Sequence, residues 1–353
     1  MAYTNIDDPS AFFQTTLYTG NNTGGASLNV TNSGNSDLQP DWVWIKSRSG
    51  ASNHNCSDSS RGATKHLAQN ISYQEEVVSG VSAYNSDGFT VGSNGDANTA
   101  GATYVAWQWK ANGGSVTTVG ESGSNPGFTR QTNTTTGFSI IAYTGTGSNG
   151  TIAHGLPSTP EFIIFKRRDA ANVWATWHQG IGDDYKLVLN ETAAKDSDGA
   201  FMNSTLPTST NITVGGASVN TNADNGTYIC YAFSPVQGYS KFGSYVGNGN
   251  ADGTFIYTGF KPAFIMVKTT LVTDEWNIYD TKRSGFNSNN DALYASSNVV
   301  EDAGSTYAFM DIVSNGFKLR RATHSPNKAS TYIYMAFAEQ PFVTSTGIPA
   351  TAR

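Results

Sequence analysis

Charge is scarce in this chain. Asp, Glu, Lys and Arg make up 14% of its 353 residues, against about a quarter in ordinary soluble domains; Ser, Thr, Asn and Gly stand in their place. The net charge of −6 leaves no basic footprint, which argues against nucleic-acid binding. Cysteine is nearly absent. Cys56 and Cys230 fall at different places within the repeats described below, so a repeated disulfide is excluded and two reduced, buried thiols are expected. No run approaches the roughly 18 apolar residues of a membrane-spanning helix. The opening Met1–Ser10 lacks a basic region followed by an apolar stretch, so synthesis in a cytoplasm without a secretory signal is the expectation. Helix signals are also few; only residues 62–80 have room for one or two turns. Disorder is excluded by the 12% aromatic content and by periodic apolar runs.

What is present is repetition. A seven-residue phrase occurs three times: Pro40-Asp-Trp-Val-Trp-Ile-Lys46, Pro160-Glu-Phe-Ile-Ile-Phe-Lys166 and Pro262-Ala-Phe-Ile-Met-Val-Lys268. A second phrase follows each copy at a nearly constant distance: Thr103 to Trp109, Thr227 to Phe233 and Thr331 to Phe337. An aromatic-x-Gly marker precedes each, at Tyr18–Gly20, Tyr143–Gly145 and Tyr245–Gly247. The unit is roughly a hundred residues long and is triplicated. In the second phrase Val105, Trp107 and Trp109 point one way and Tyr104 the other, as in a half-buried strand. The first phrase is apolar on both faces and predicts a central strand covered on each side. Trp174 and Trp276 stand at equal distances after Lys166 and Lys268, and His54 takes their place in the first repeat. Asp58-x-x-Arg61 recurs as Asp280-x-x-Arg283 and reads as a structural ion pair. Ser86-Asp-Gly-Phe89 and Ser314-Asn-Gly-Phe317 are hairpin turns, since both Asp-Gly and Asn-Gly tolerate positive φ.

The fold class expected is therefore all-β, with three tandem antiparallel β-sandwich modules of jelly-roll or lectin-like type and very little helix. Residues 1–113 form the first module, 138–238 the second and 239–353 the third with a C-terminal tail. The Gly- and Ser-rich stretch 114–137 is a linker or extra strands. The aromatic junction around Tyr239 and Phe242 implies that modules two and three pack together.

Motifs that carry chemistry are mostly missing. The five histidines (His54, His66, His154, His178, His324) show no metal-ligand spacing, and Gly-x-Ser-x-Gly is absent. Asn248–Gly253 looks like the first half of a calcium loop, but Gly259 occupies the position that needs a bidentate Glu, so a Gly-rich hairpin is the simpler reading. No repeated acids are placed for glycoside hydrolysis apart from Asp58 and Asp280, each near an Arg. Neither a metal nor a cofactor is expected. The remaining candidates are aromatic: exposed Trp and Tyr rings stack on sugar faces. Trp174, Trp177 and His178 sit together in a stretch of repeat two without a counterpart elsewhere, where a ligand-binding site would be grafted. Against this, Trp276 holds the place of Trp174 in repeat three, which favours a core role. Trp42, Trp44, Trp107 and Trp109 align with core positions.

Several phrases resemble a domain family that recurs in marine tailed bacteriophages, including those of cyanobacteria. They are Phe13–Asn21, Pro40–Lys46, Ser86–Gly92, Gly137–Gly147, His154–Pro157, Gly238–Tyr245 and Gly253–Phe260, with a similar ending at Gly347–Arg353. They run in order along nearly the whole chain. The resemblance implies a non-enzymatic virion structural protein, of tail-fibre or receptor-binding type, touching host surface glycan or protein. A capsid decoration protein is the alternative. It also implies other virion proteins as partners, assembly in the host cytoplasm with release by lysis, and, for a fibre, a homotrimer. It supplies no catalytic residue.

Overall fold

The computed structural model describes residues 2–304, 309–322 and 325–351; His324 and the final two residues lie outside them. The chain is all-β, and its strands follow the repeat. Repeat one forms a four-stranded antiparallel sheet from β1 (Phe13–Thr19), β2 (Trp42–Ser47), β3 (Asn55–Asp58) and β4 (Thr103–Trp109), in the order β1-β4-β2-β3. Repeat two builds an eight-stranded sheet. It begins with β5 (Thr117–Val119) and β6 (Phe128–Asn133), which come from the stretch read as a linker or extra strands, and continues through β7 (Phe138–Thr144), β10 (Thr227–Phe233), β8 (Phe162–Arg167) and β9 (Trp174–His178) into the strands Tyr185–Val188 and Asp196–Ser197. Repeat three has β11 (Ser240–Val246), β14 (Thr331–Pro341), β12 (Phe260–Thr269) and β13 (Asn277–Asp280), in that order, with Leu293–Tyr294 at the edge. The only α-helical element among the described residues is Gly95–Asn98, capped by Asn94. Residues 62–80, where a helical turn had room, hold the short strands Lys65–His66 and Glu76–Val77 instead.

The alternating phrase differs from a half-buried strand: all but its first residue is buried in each copy, and the same holds over Tyr332–Phe337. The reason is a second, smaller sheet in each repeat. Leu28–Val30, Phe89–Val91 and Val81–Tyr84 form one, Gly150–Ala153 and Asn211–Val214 the next, and Phe255–Tyr257, Gly316–Leu319 and Met310–Val313 the third. Tyr104 packs beneath the first with Phe89 and Val43, and Tyr332 beneath the third with Phe317 and Ile265.

The other faces of the three main sheets meet in one core. Phe13, Trp42 and Trp109 of repeat one, Phe138, Phe162 and Phe233 of repeat two, and Phe264, Met335 and Phe337 of repeat three belong to a single buried cluster. Rings touch across every pair of repeats. Trp42 stacks on Tyr231 at 4.6 Å between centroids, Phe13 on Phe337 at 5.3 Å, and Phe233 meets Phe337 edge-on at 5.8 Å. Packing therefore extends well beyond the expected pairing of modules two and three. The three repeats close into a ring around shared aromatic side chains. The N-terminal segment helps to close it from outside: Tyr3 Oη donates to Gly259 O at 2.7 Å, and Thr4 Oγ1 to Gln237 O at 2.9 Å.

Candidate functional site

Where one repeat meets the next, buried polar groups recur in cyclic order. The residue eight places after each phrase lysine faces that lysine across the strand pair and reaches the neighbouring repeat. His54 Nε2 donates to Ser297 O at 2.9 Å, Trp174 Nε1 to Ala68 O at 3.1 Å and Trp276 Nε1 to Val188 O at 2.9 Å. The His54 tautomer follows from Nδ1, which accepts from Trp44 Nε1 at 2.8 Å. At the other end of the same strands stand Asp58, His178 and Asp280, each opposite the first aromatic residue of its phrase.

Two of the three joints are ionic. Tyr231 of repeat two donates to Asp58 Oδ2 at 2.7 Å, and Arg61 Nε donates to the same oxygen at 2.5 Å. Arg61 continues to Glu75 at 3.1 Å, and Arg168 of repeat two grips that carboxylate at 2.9 and 3.0 Å. Repeat one meets repeat three in the same way, with Trp107 on Asp280 at 3.1 Å, Arg283 between Asp280 and Glu301, and Arg48 on Glu301 at 2.7 Å. Charge in so dry a place is tolerated because the carboxylate oxygens and all three nitrogens of both Arg61 and Arg283 are matched. The third joint has no ion pair across it among the described residues: His178 replaces the Asp, Ile181 the Arg, and Lys195 and Thr270 the outer pair, with Lys195 Nζ donating to Ile181 O at 3.4 Å. His178 Nδ1 accepts from Gly180 N at 2.9 Å, so Nε2 carries the proton and lies 3.3 Å from Tyr334 O. A backbone bond survives at the same place in all three joints: Glu75 N to Arg168 O, Glu301 N to Arg48 O, and Lys195 N to Thr270 O.

Lys46, Lys166 and Lys268 are fully buried and donate to loop carbonyls, among them Ser47 O, Asn172 O and Asp274 O. Burial pushes the three amines down to about 8, 7 and 8 respectively, yet no open space reaches them. The thiols of Cys56 and Cys230 are free and buried, and burial raises both. Among the described residues no three His, Cys, Asp or Glu side chains gather as metal ligands. The 248–253 turn closes on itself, with Asn248 Nδ2 donating to Asp252 O at 2.9 Å and the Asp252 carboxylate on Lys318 at 2.6 Å.

One joint does leave an opening. Between β1 and repeat three lies a cleft of about 230 Å³, lined by Phe13, Gln14, Thr15, Ala263, Thr281 and Lys282 among others. The equivalent spaces at the other two joints are filled. Gln131 of β6 occupies one, donating to Ser59 and Ser60 at 2.9 and 2.7 Å. Gln179 occupies the other, donating to Phe242 O at 2.6 Å. The cleft is the best candidate for a site on this surface.

The model of one protein family, a domain of unknown function called DUF7483, matches residues 8–341. The chain belongs to the DUF7483 family. No curated protein and no solved structure matches it. The match runs from Asp8 to Pro341, the last residue of β14, so the DUF7483 unit is the whole three-repeat ring and not a single repeat.

Within the DUF7483 ring, Trp174, Trp177 and His178 do share one strand, β9, but as interior residues. Trp174 and His178 are sealed and Trp177 is 2% exposed, with Trp177 Nε1 donating to Gly182 O at 2.8 Å. Stacking on a sugar needs a ring face in solvent, and none of the three has one. The cleft carries no sequence motif. The signal for it was negative: the 114–137 stretch that fills one joint has no counterpart in the other repeats.

The buried neutral histidines set a pH dependence. Burial holds His54 and His178 down to about 3, below the usual value near 6.5. The stability they contribute is complete above pH 6.5 and is lost as pH falls toward 3. Each contributes roughly 2 kcal/mol of the loss between pH 7 and 5. Glu161, pushed up to about 7 by burial, opposes them over the range 4.5–7. Denaturant midpoints of the parent and of His178→Gln, measured between pH 7 and 5, isolate the histidine term. The variant should show the shallower fall, and parallel curves would contradict a neutral His178.

Proposed function

We propose that this DUF7483 protein is a non-enzymatic structural component of a tailed-bacteriophage particle, an appendage of tail-fibre or receptor-binding type that contacts the host surface. Two things support the reading. The sequence resembles virion proteins of marine phages along most of its length. The structural observation that carries it is the employment of the interior polar groups: Asp58, Arg61, Asp280, Arg283, His54, His178 and the three buried lysines all fasten strands or repeats, and none faces an open cleft. Such a body resists deformation and presents a neutral Ser/Thr/Asn/Gly surface to a partner. In a fibre the chain would associate as a homotrimer. Its partners would be other virion proteins and a surface glycan or protein of the host, reached after release by lysis.

A second reading, capsid decoration, is favoured by a different observation. The three repeats already complete one another's core within one chain, so no further copies are needed to bury apolar surface. Electron microscopy of intact particles with gold-labelled antibody against this chain separates the two. Label on the tail or its fibres is the expected result. Label spread over the head would transfer the assignment to the capsid, and particles without label would end the virion reading.

A further inference from the structure

Each repeat pairs the strand that carries its aromatic-x-Gly marker with its alternating strand: β1 with β4, β7 with β10 and β11 with β14. The other edge of that strand faces the next repeat, and the fold treats the three edges differently. The edge of β7 is paired in full by β6, from Phe128 opposite Tyr143 to Asn133 opposite Phe138. The edge of β11 is partly capped: its Phe242 and Val246 carbonyls accept from Gln179 and Thr254, and Ser244 between them is left open among the described residues. The edge of β1 is bare. Lys110 N donates to Phe12 O at 3.0 Å and Gly20 N to Ala102 O at 2.8 Å, which fixes the ladder: Gln14, Thr16 and Tyr18 bond to β4, while the N–H and C=O groups of Thr15 and Leu17 point outward. No described residue bonds to those four groups. The Thr15 hydroxyl, also buried, has no partner either.

Unpaired strand edges are sites where another strand adds, and proteins ordinarily cover or charge them. Here the same chain supplies the template for what fits. Thr15 and Leu17 correspond to Ile140 and Ala142, whose outward groups are met by Gln131 and Thr129 of β6. The Gln131 side chain then crosses the joint to Ser59 and Ser60, whose counterparts across the open cleft are Thr281 and Lys282. Lys282 is exposed and has no ion pair among the described residues. Glu339 lines the same cleft but is ion-paired with Lys261 at 3.2 Å, so the cation left to an occupant in the place of Gln131 is Lys282, which favours a carboxylate.

We propose that the open edge of β1 binds an extended segment of another protein, antiparallel to β1, which hydrogen-bonds the backbone of Thr15 and Leu17 and sets a Glu or Asp side chain against Thr281 and Lys282. Strand addition of this kind does not require the particle role proposed above; it requires only the bare edge and the cleft.

The probe is a synthetic peptide of residues 126–135, the strand already accepted by β7, in its natural form and with Gln131→Glu. It is titrated into the full chain by calorimetry, with hydrogen exchange followed by mass spectrometry. The acidic form should bind about tenfold more tightly than the natural one, and exchange should slow at residues 13–19 and nowhere else. Leu17→Pro removes an outward N–H without breaking a ladder bond, and should weaken both peptides about tenfold or more. Lys282→Glu, a surface change, should abolish the preference for the acidic form. Absence of binding at millimolar peptide would overturn the proposal, as would slowed exchange at another strand or indifference to both variants. A dimer of the free protein that Leu17→Pro dissociates would overturn it too, by making the occupant a second copy of this chain.

Discussion

Replacing Arg61 by isoleucine is expected to destabilise the fold by about 3–5 kcal/mol, the usual cost of removing one partner from a buried ion pair. Arg61 is fully buried at its side chain and bridges Asp58 and Glu75. Without it the Asp58 carboxylate keeps the Tyr231 hydroxyl and one backbone N–H but loses its counter-charge. The third joint indicates how the loss could be offset, since it places His178 and Ile181 where the other joints have Asp and Arg. Adding Asp58→His to Arg61→Ile removes the stranded charge, and should recover more than half of the lost stability in denaturant titrations. A single variant within about 1 kcal/mol of the parent would mean that the Asp–Arg–Glu cluster contributes little to holding repeats one and two together. A double variant no better than the single would mean that the His–Ile arrangement of the third joint cannot stand in for the Asp–Arg pair.

The second large effect concerns Trp42. Its ring stacks on Trp109 at 4.4 Å within its own repeat and on Tyr231 at 4.6 Å in the next, with Phe138 and Phe233 each at 6.0 Å. Trp42→Ala should cost about 3–5 kcal/mol through lost burial and the cavity left behind. The location of the loss matters more than its size. Because the cavity opens between repeats, amide protection should fall in β10 of repeat two as well as in β2 and β4 of repeat one. Thermal unfolding should remain one transition at a lower temperature. Loss of protection confined to repeat one, or a second transition, would show that the repeats unfold as separate bodies.

Much of the framework was legible in the sequence, for a physical reason. Strand formation answers to short-range periodicity and turn chemistry, and both are written into the repeated phrases. The Pro40–Lys46 strand, the burial of Trp42 and Trp109, the ion pair of Asp58 with Arg61 and the equivalence of His54, Trp174 and Trp276 all follow from local pattern or from aligning the copies. What the sequence did not disclose is what lies on each face. Alternation in Thr103–Trp109 signals two different surroundings, and it cannot separate water from a second sheet of Tyr and Phe. The roles of Arg48 and Arg168 were hidden as well, since each completes a carboxylate cluster belonging to another repeat. Trp174 and Trp177 stand as candidates in the sequence because their stretch varies between repeats, although Trp276 in the place of Trp174 already favours the core. Variation there reflects a change in the neighbour each copy meets, and the indole nitrogens are engaged by backbone carbonyls. The cleft was the least legible feature, being the place where two side-chain or strand insertions fail to recur.

Three identical subunits around an axis must change together, because a single substitution appears at every interface. Joining the copies in one chain removes that constraint. Each joint can then accept its own substitutions while the other two maintain the assembly, and this ring holds the outcome: two ionic seams, one seam without an ion pair, one sheet edge paired, one partly capped and one unpaired. Departure from symmetry is thus where one joint of this scaffold can do what the other two do not, and the unpaired edge of β1 is the most conspicuous departure among the described residues.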